Sequence, residues 1–310
     1  MGRYVLKRLV WSVFVLLGVT LVIQATMSLV SGDPTVILLG ETATMEQRAA
    51  LRGELGLDRP FVVRYATYVT DVARGNLGRS YRSRRPILEE IRDAFPPTLK
   101  LSLVALLITV VIGLPAGVLS AVRANTATDR LVTAVSLLGL SVPVFLIGLL
   151  LIYLLAYRWQ VFPVGGMDNG AASYVLPAVT LALTSIAVIS RMTRASMLDV
   201  LGEDFIRTAR AKGLAEAVVV NKHGLKAALV PVVTALALQV GLLIGGAVLT
   251  ETVFSWPGIG RLMVTAIKTR DLLLVQGCVL VLAAGFVVIN LLTDLSYTLL
   301  DPRIRHEASA

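Results

Sequence analysis

The sequence predicts an all-α membrane protein with six transmembrane helices. Hydrophobic residues make up 56% of the 310 positions and charged residues 16%, with a mean hydropathy of +0.79. More decisive is where charges are missing. Residues 9–32, 101–122, 131–157, 169–190, 227–250 and 272–293 form six uncharged runs of 22 to 27 residues. A helix rises ~1.5 Å per residue and the hydrocarbon core is ~30 Å thick, so about 20 residues suffice to cross it. A transmembrane barrel needs short segments of alternating polarity instead, and the runs show no such alternation.

The first run follows Arg3, Lys7 and Arg8, a charged start that resembles a secretory signal. Its apolar stretch far exceeds the ~7–15 residues of a signal core, so it reads as an uncleaved first span. Leu6 stands where myristoylation needs Ser or Thr. The net charge of +9 raises nucleic acid as a partner, but the distribution argues for topology. With the N-terminus inside, the cytoplasmic segments hold 14 of the 29 Lys and Arg residues and the two short outer loops hold 4. The first loop, 33–100, holds the remaining 11, and loops beyond ~60 residues largely escape the positive-inside rule. Both termini are therefore expected in the cytoplasm, with no nucleic-acid role. Cys278 is the only cysteine, and His223 and His306 lie far apart, so neither an intrachain disulfide nor a metal site is expected.

Three regions follow from this layout: 1–32 as tail and first span, 33–100 as an extracytoplasmic loop, and 101–310 as a five-span core. The loop reads as folded. Thr44 and Gln47 have capping-box spacing before a helix to about Leu55, and the stretch from Gly56 to Pro60 breaks it. A second helix is expected over 61–72, a turn over 75–78, and a third helix with Pro86 at its first position, ending near Phe95. Pro115, Pro143, Pro177 and Pro231 fall in the spans, and Gly241 and Gly245 have the spacing for close helix approach. Interrupted helices around a pathway and ordinary packing kinks both accommodate them.

The six runs contain no Asp, Glu, His, Lys or Arg, which counts against an ion-coupled carrier. Nor does the chain contain a GxxxxGK[ST] phosphate loop or a nucleophile–base constellation, so no enzymatic activity is expected of it. One segment is poorly explained by lipid. Residues 205–231 carry Arg207, Arg210, Lys212, Lys222 and Lys226 against Glu216. Asp204 has the chemistry to cap a helix running to Lys212, and Gly213 to end it in a left-handed turn. Leu214, Val218 and Leu225, with Val219 and Val220 adjacent, would line a second short helix and leave an exposed apolar and basic surface.

RTARAKGL at 207–214, followed by HGLKAALVP at 223–231, resembles the cytoplasmic coupling loop of ABC importer permeases, in the variant of the dipeptide/oligopeptide/nickel transporter family. Arg207 and Thr208 stand where the general pattern has Glu and Ala, and Pro231 falls late; both departures look like the peptide branch. Also similar are 3–20, the GDP at 32–34, GLDRP at 56–60, GNLGRS at 75–80, TETVFSWPGIGRL at 250–262 and DLSYTLLDPRIR at 294–305. The resemblance covers nearly the whole chain. It implies the type I ABC importer permease fold and a multi-pass place in the cytoplasmic membrane of a prokaryote. It also implies, as partners, a homologous second permease, two ATP-binding subunits, an extracytoplasmic substrate-binding protein, the lipid bilayer and a peptide substrate. No cofactor is expected on this chain, with ATP and Mg on the ATPase subunits.

By the same resemblance, Arg207, Thr208, Ala209, Arg210, Lys212, Gly213, Leu214 and His223 meet the ATPase. The outer loop 250–271 faces the binding protein through Thr250, Glu251, Phe254, Trp256, Pro257, Gly258 and Arg261. Trp256-Pro257-Gly258 also reads as an aromatic anchor and rigid turn at the membrane–water boundary. Glu251 has the charge to meet a peptide's ammonium group, or to pair with Arg261 or Arg270. Gln239, Glu251 and Asn290, with Ser141 and Thr250 beside them, are the candidate path residues; each is also an ordinary candidate for a hydrogen bond between helices. Peptide import through this subunit is the expected function. Nickel or glutathione import, a self-sufficient ion-coupled carrier and a non-transporting membrane subunit remain as alternatives.

Overall fold

The computed structural model describes residues 2–29, 34–40, 42–54 and 56–300. They are almost entirely helical; outside the helices the described residues form a single isolated antiparallel bridge, between Arg79 and Pro86. Five helices are long and apolar enough to cross a membrane, and six if one bent pair counts as a single span. The 301–305 part of the C-terminal motif lies outside the described residues.

The chain divides into two compact units, Met1–Pro97 with Gly258–Val287, and Thr98–Pro257 with Val288–Ala310. The first contains α1 (Gly2–Leu29), α2 (Pro34–Leu39), α3 (Met45–Glu54), α4 (Phe61–Ala73) and the start of α5 (Ile87–Ile108). The capping box is formed: the Gln47 amide donates to Thr44 Oγ1 at 3.2 Å, and the Thr44 amide donates to Gln47 Oε1 at 3.0 Å. Tyr65 of α4 donates to the Leu17 carbonyl of α1 at 2.8 Å. Pro86 is not the first residue of α5 but precedes it, its carbonyl accepting from the Glu89 and Glu90 amides. Nor does that helix stop at Phe95. It runs through Pro96 and Pro97 into the second span. The carbonyls those prolines leave without an amide belong to Arg92 and Asp93, which are exposed to solvent, so the penalty that normally breaks a helix at proline is reduced. Ile87 and Ile91 instead bury against Leu274, Val275 and Cys278 near the start of α14 (Leu272–Leu300), beside α13 (Ile259–Lys268).

The second unit is built on α9 (Ala171–Leu201) and α12 (Leu225–Val253), which stay continuous through Pro177 and Pro231. At 31 residues, α9 is about 46 Å long. The second span continues from α5 through a π-helical stretch, Thr109–Gly113, into α6 (Leu114–Val122). Pro115 is the second residue of α6, just past the π-helical stretch, where the helical hydrogen-bond register changes. The third uncharged run is not one straight helix. It splits into α7 (Ala127–Ser141) and a second segment, α8 (Val144–Leu151) continued by the π-helical stretch Ile152–Arg158, with a bend of 105° between the two. Val142 at φ −90°, ψ 129° and Pro143 at ψ 133° are extended, as expected for a residue before proline.

The expected close approach at Gly245 is absent, because a Cβ there would meet nothing within 4 Å in this chain. Close approaches occur at other glycines. A Cβ on Gly117 of α6 would lie 2.5 Å from the Ser190 carbonyl oxygen and 2.5 Å from Thr193 Cβ, both on α9. One on Gly148 of α8 would lie 3.1 Å from the Phe254 ring.

Candidate coupling surface and transport path

At the end of α9 the chain turns through Gly202 and Glu203 into α10 (Asp204–Ala211). Glu203, not Asp204, occupies the cap position, with extended φ −72° and ψ 152°. Asp204 is already helical and faces Arg207, 3.3 Å away. Ile206 and Ala209, three residues apart and hence on one face, bury against Val219. Arg207, Thr208, Arg210 and Lys212 are exposed. Of the expected coupling set Ala209 is the exception: it faces the protein and offers no docking atoms.

Gly213 adopts φ +77°, the left-handed region that a Cβ disfavours, and its amide donates to the Arg210 carbonyl at 2.9 Å. Across this turn Arg210 makes a forked pair with Glu216, Nη2 to Oε1 at 2.7 Å and Nε to Oε2 at 3.1 Å. The bond to Glu216 raises the guanidinium pKa further above its ordinary value, so Arg210 stays charged. Both groups are substantially exposed, and such pairs contribute little stability in water. The second short helix is α11 (Glu216–Val218); it passes through the π-helical stretch Val219–Gly224 directly into α12.

The exposed apolar surface is smaller than the sequence suggests, since Val219 and Val220 are buried in the helix ends behind them. Phe205 (46% exposed), Leu214 (40%) and Val218 (39%) remain open, beside the basic side chains. His223 is half-buried. Exposed apolar side chains interspersed in sequence with arginine and lysine on a short helix and turn suit a protein partner.

The outer loop differs more from expectation. Trp256 is fully buried among protein side chains and so is no exposed anchor, and its ring stands edge-on to Tyr174 at 4.6 Å between centroids. It lies in a cluster with Leu101, Ala105, Leu181 and Leu243. Phe254, Thr250, Glu251 and Gly258 are buried too, while Pro257 and Arg261 are exposed. Buried side chains cannot reach a docked protein unless the loop opens, so Pro257 and Arg261 are the accessible members of that set. Glu251 accepts a hydrogen bond from Thr98 Oγ1 at 2.5 Å.

Among the expected path residues, Gln239 on α12 accepts from Ser185 Oγ on α9 at 2.9 Å, both buried. Asn290 is half-buried on α14, and Ser141 is exposed with its hydroxyl returned to the Leu137 carbonyl. Thr250 Oγ1 is buried with no hydrogen-bond partner in the described residues. A second polar tie, Ser136 to Ser190 at 2.9 Å, joins α7 to α9. These bonds hold the helices together in the apolar interior.

Comparison with known proteins decides the family. Residues 113–306 match the binding-protein-dependent transport system inner membrane component, and residues 1–102 match the N-terminal membrane component of the same systems. The chain belongs to the binding-protein-dependent transport permeases. This permease is 40% identical over 338 residues to the dipeptide transport system permease protein DppB of Escherichia coli K12, covering 99% of this chain and all of that one. It is 39% identical to DppB of Alkalihalophilus pseudofirmus and 41% identical to the glutathione transport system permease protein GsiC of Salmonella typhimurium, again over 99% of this chain and all of each relative. Among solved structures, the inward-facing MetNI methionine ABC transporter aligns with a TM-score of 0.55 at 21% identity, over 68% of this chain and 96% of that one. An amino acid ABC transporter aligns with a TM-score of 0.53 at 16% identity, over 69% and 94%. The permease therefore has the type I ABC importer fold.

One polar group of the permease escaped the sequence reading. Asp129 is not among the expected site residues, yet it is buried and paired with Arg194 of α9. Thr126 and Asp129 have capping-box spacing, the one local signal in the sequence that marks this carboxylate, although Thr126 makes no side-chain cap bond. For Gln239 the bonded amide supports a packing role. Gln239→Leu is expected to lower the stability of the permease by about 1 kcal/mol and to leave transport intact. Loss of transport at unchanged melting temperature would put Gln239 on the path instead.

Proposed function

We propose that this permease is the membrane-spanning subunit of an ATP-driven importer of di- or oligopeptides. The observation that carries the reading is its 40% identity, end to end, to a protein named as a dipeptide permease. The exposed apolar and basic surface around Gly213 supports docking to a separate motor. On this reading α10 and residues 205–231 face the cytoplasm, as do both termini, and the 33–100 region lies outside. Residues 101–310 form the transport core. Two ATP-binding subunits hold ATP and Mg, and the chain itself catalyses no reaction. A homologous second permease completes the membrane assembly, and an extracytoplasmic binding protein delivers the cargo. Arg207, Thr208, Arg210, Lys212, Gly213, Leu214 and His223 form the docking surface, with Pro257 and Arg261 toward the binding protein.

Closure of the motor would then move α10 and reorient the spans, exposing the path alternately to each side. Glutathione is a second cargo reading, favoured by the 41% identity to a protein named as a glutathione permease. Both cargoes are short, flexible and amide-linked, so they ask the same of a weakly polar conduit. The test is uptake of labelled dipeptide, longer peptide, glutathione and nickel by the reconstituted complex. ATP-dependent uptake of dipeptide above the other cargoes is expected. Uptake by this subunit alone, driven by an ion gradient, would overturn the reading.

A further inference from the structure

Asp129 lies in the first turn of α7, and only 5% of its side chain is exposed. It accepts four hydrogen bonds. Ser120 Oγ donates at 2.5 Å, the Asn125 amide at 2.8 Å, and Arg194 donates twice, Nε to Oδ1 and Nη2 to Oδ2, each at 2.7 Å. This forked geometry is the strongest pairing open to a carboxylate, and it leaves neither charge uncompensated. Ser120 belongs to α6, Asn125 to the following turn, Asp129 to α7 and Arg194 to α9. One carboxylate thus joins the end of span two, the start of span three and span four.

Two packed clusters lead from the proposed docking surface to Ala121, the chain neighbour of the Ser120 that donates to this carboxylate. Ile206 and Ala209 of α10 rest on Val219. Its neighbour Val220 packs with Ala121 of α6, Met197 of α9 and Ala228 of α12. Small and flexible apolar side chains allow helices to slide by shear, and a slide here would absorb a push on α10. A forked ion pair does not slide, because both bonds depend on one relative placement of the two planes.

We propose that the Asp129–Arg194 pair is a positioning clamp that makes α6, the start of α7 and α9 move as one piece with the 204–224 segment. Its role is to convert motor closure into span movement, and it rests on the ATP-driven reading above. Arg194→Lys tests it, since lysine keeps the charge and loses the fork. The measurement is peptide imported per ATP hydrolysed by the reconstituted four-subunit complex with its binding protein. The lysine variant is expected to assemble and to hydrolyse ATP near the wild-type rate, while import per ATP falls roughly 5–150-fold, the range of typical coupling between sites. Hydrogen exchange at the Asn125 amide should rise in the same variant, with the centre of α9 unchanged. Unchanged import per ATP would overturn the proposal. So would failure of the variant to assemble, because the pair would then serve folding and not transmission. Absence of ATP-driven import in the wild-type complex would instead sink the underlying functional reading.

Discussion

Gly213→Pro is expected to abolish ATP-driven import while leaving the permease folded in the membrane. The native φ of +77° is open to glycine and closed to proline, whose ring holds φ near −65°. The substitution also removes the amide that donates to the Arg210 carbonyl, the bond that ends α10. The turn must therefore open, and the Arg210–Glu216 pair that straddles it must part. Phe205, Leu214 and the basic side chains would no longer form one surface. A loss of the full coupling between motor and spans corresponds to roughly 5–150-fold or more in import per ATP. Gly213→Ala is the milder comparison, costing about 1 kcal/mol locally through the left-handed backbone. Uptake by the proline variant at the wild-type rate would refute the assignment of this turn to coupling. Circular dichroism and complex assembly would confirm that folding had survived.

Gly117→Ala is expected to cost the permease substantial stability through a single added methyl group. The added Cβ would lie 2.5 Å from a backbone oxygen of α9 and 2.5 Å from the Thr193 Cβ, so no flexible side chain can move aside. The two helices must separate locally, and overpacking of this kind costs about 1–3 kcal/mol. Separation there would also pull on Ser120, one turn along α6, and on the Asp129 pair. Melting temperature of the purified permease in detergent reads the effect directly. Gly245→Ala should do the opposite in the isolated chain: no atom lies within 4 Å of its added Cβ, and alanine favours helix over glycine by about 0.5–1 kcal/mol. Equal destabilisation by both substitutions would show that helix spacing at Gly117 is not the cause.

Much of the fold is legible without coordinates. The capping box at Thr44 and Gln47, the helix over 61–72 and the turn at Gly213 rest on local backbone chemistry, and each is formed. Errors arose where a local signal was outweighed by its surroundings. Pro96 and Pro97 signal a helix end, yet solvent can satisfy the carbonyls they orphan and apolar packing holds the helix through them. Trp256 next to Pro257 and Gly258 signals an interfacial anchor, yet an apolar cluster encloses it. The Gly241 and Gly245 spacing signals close approach, yet nothing in this chain lies within 4 Å of a Cβ on Gly245, whereas Gly113 and Gly117, with the same spacing, both lie close against α9.

Which solvent each segment meets is written in local composition: the six uncharged runs suit lipid, and the basic segment around Gly213 suits water. It is legible there because hydration and backbone strain are properties of neighbouring residues. The tertiary structure decided which polar groups meet. Ser185 and Gln239 are 54 positions apart, Asp129 and Arg194 are 65 apart, and Thr98 and Glu251 are 153 apart. A buried polar atom takes whichever partner the helix crossings bring within 3 Å, and those crossings are set by packing across the whole bundle.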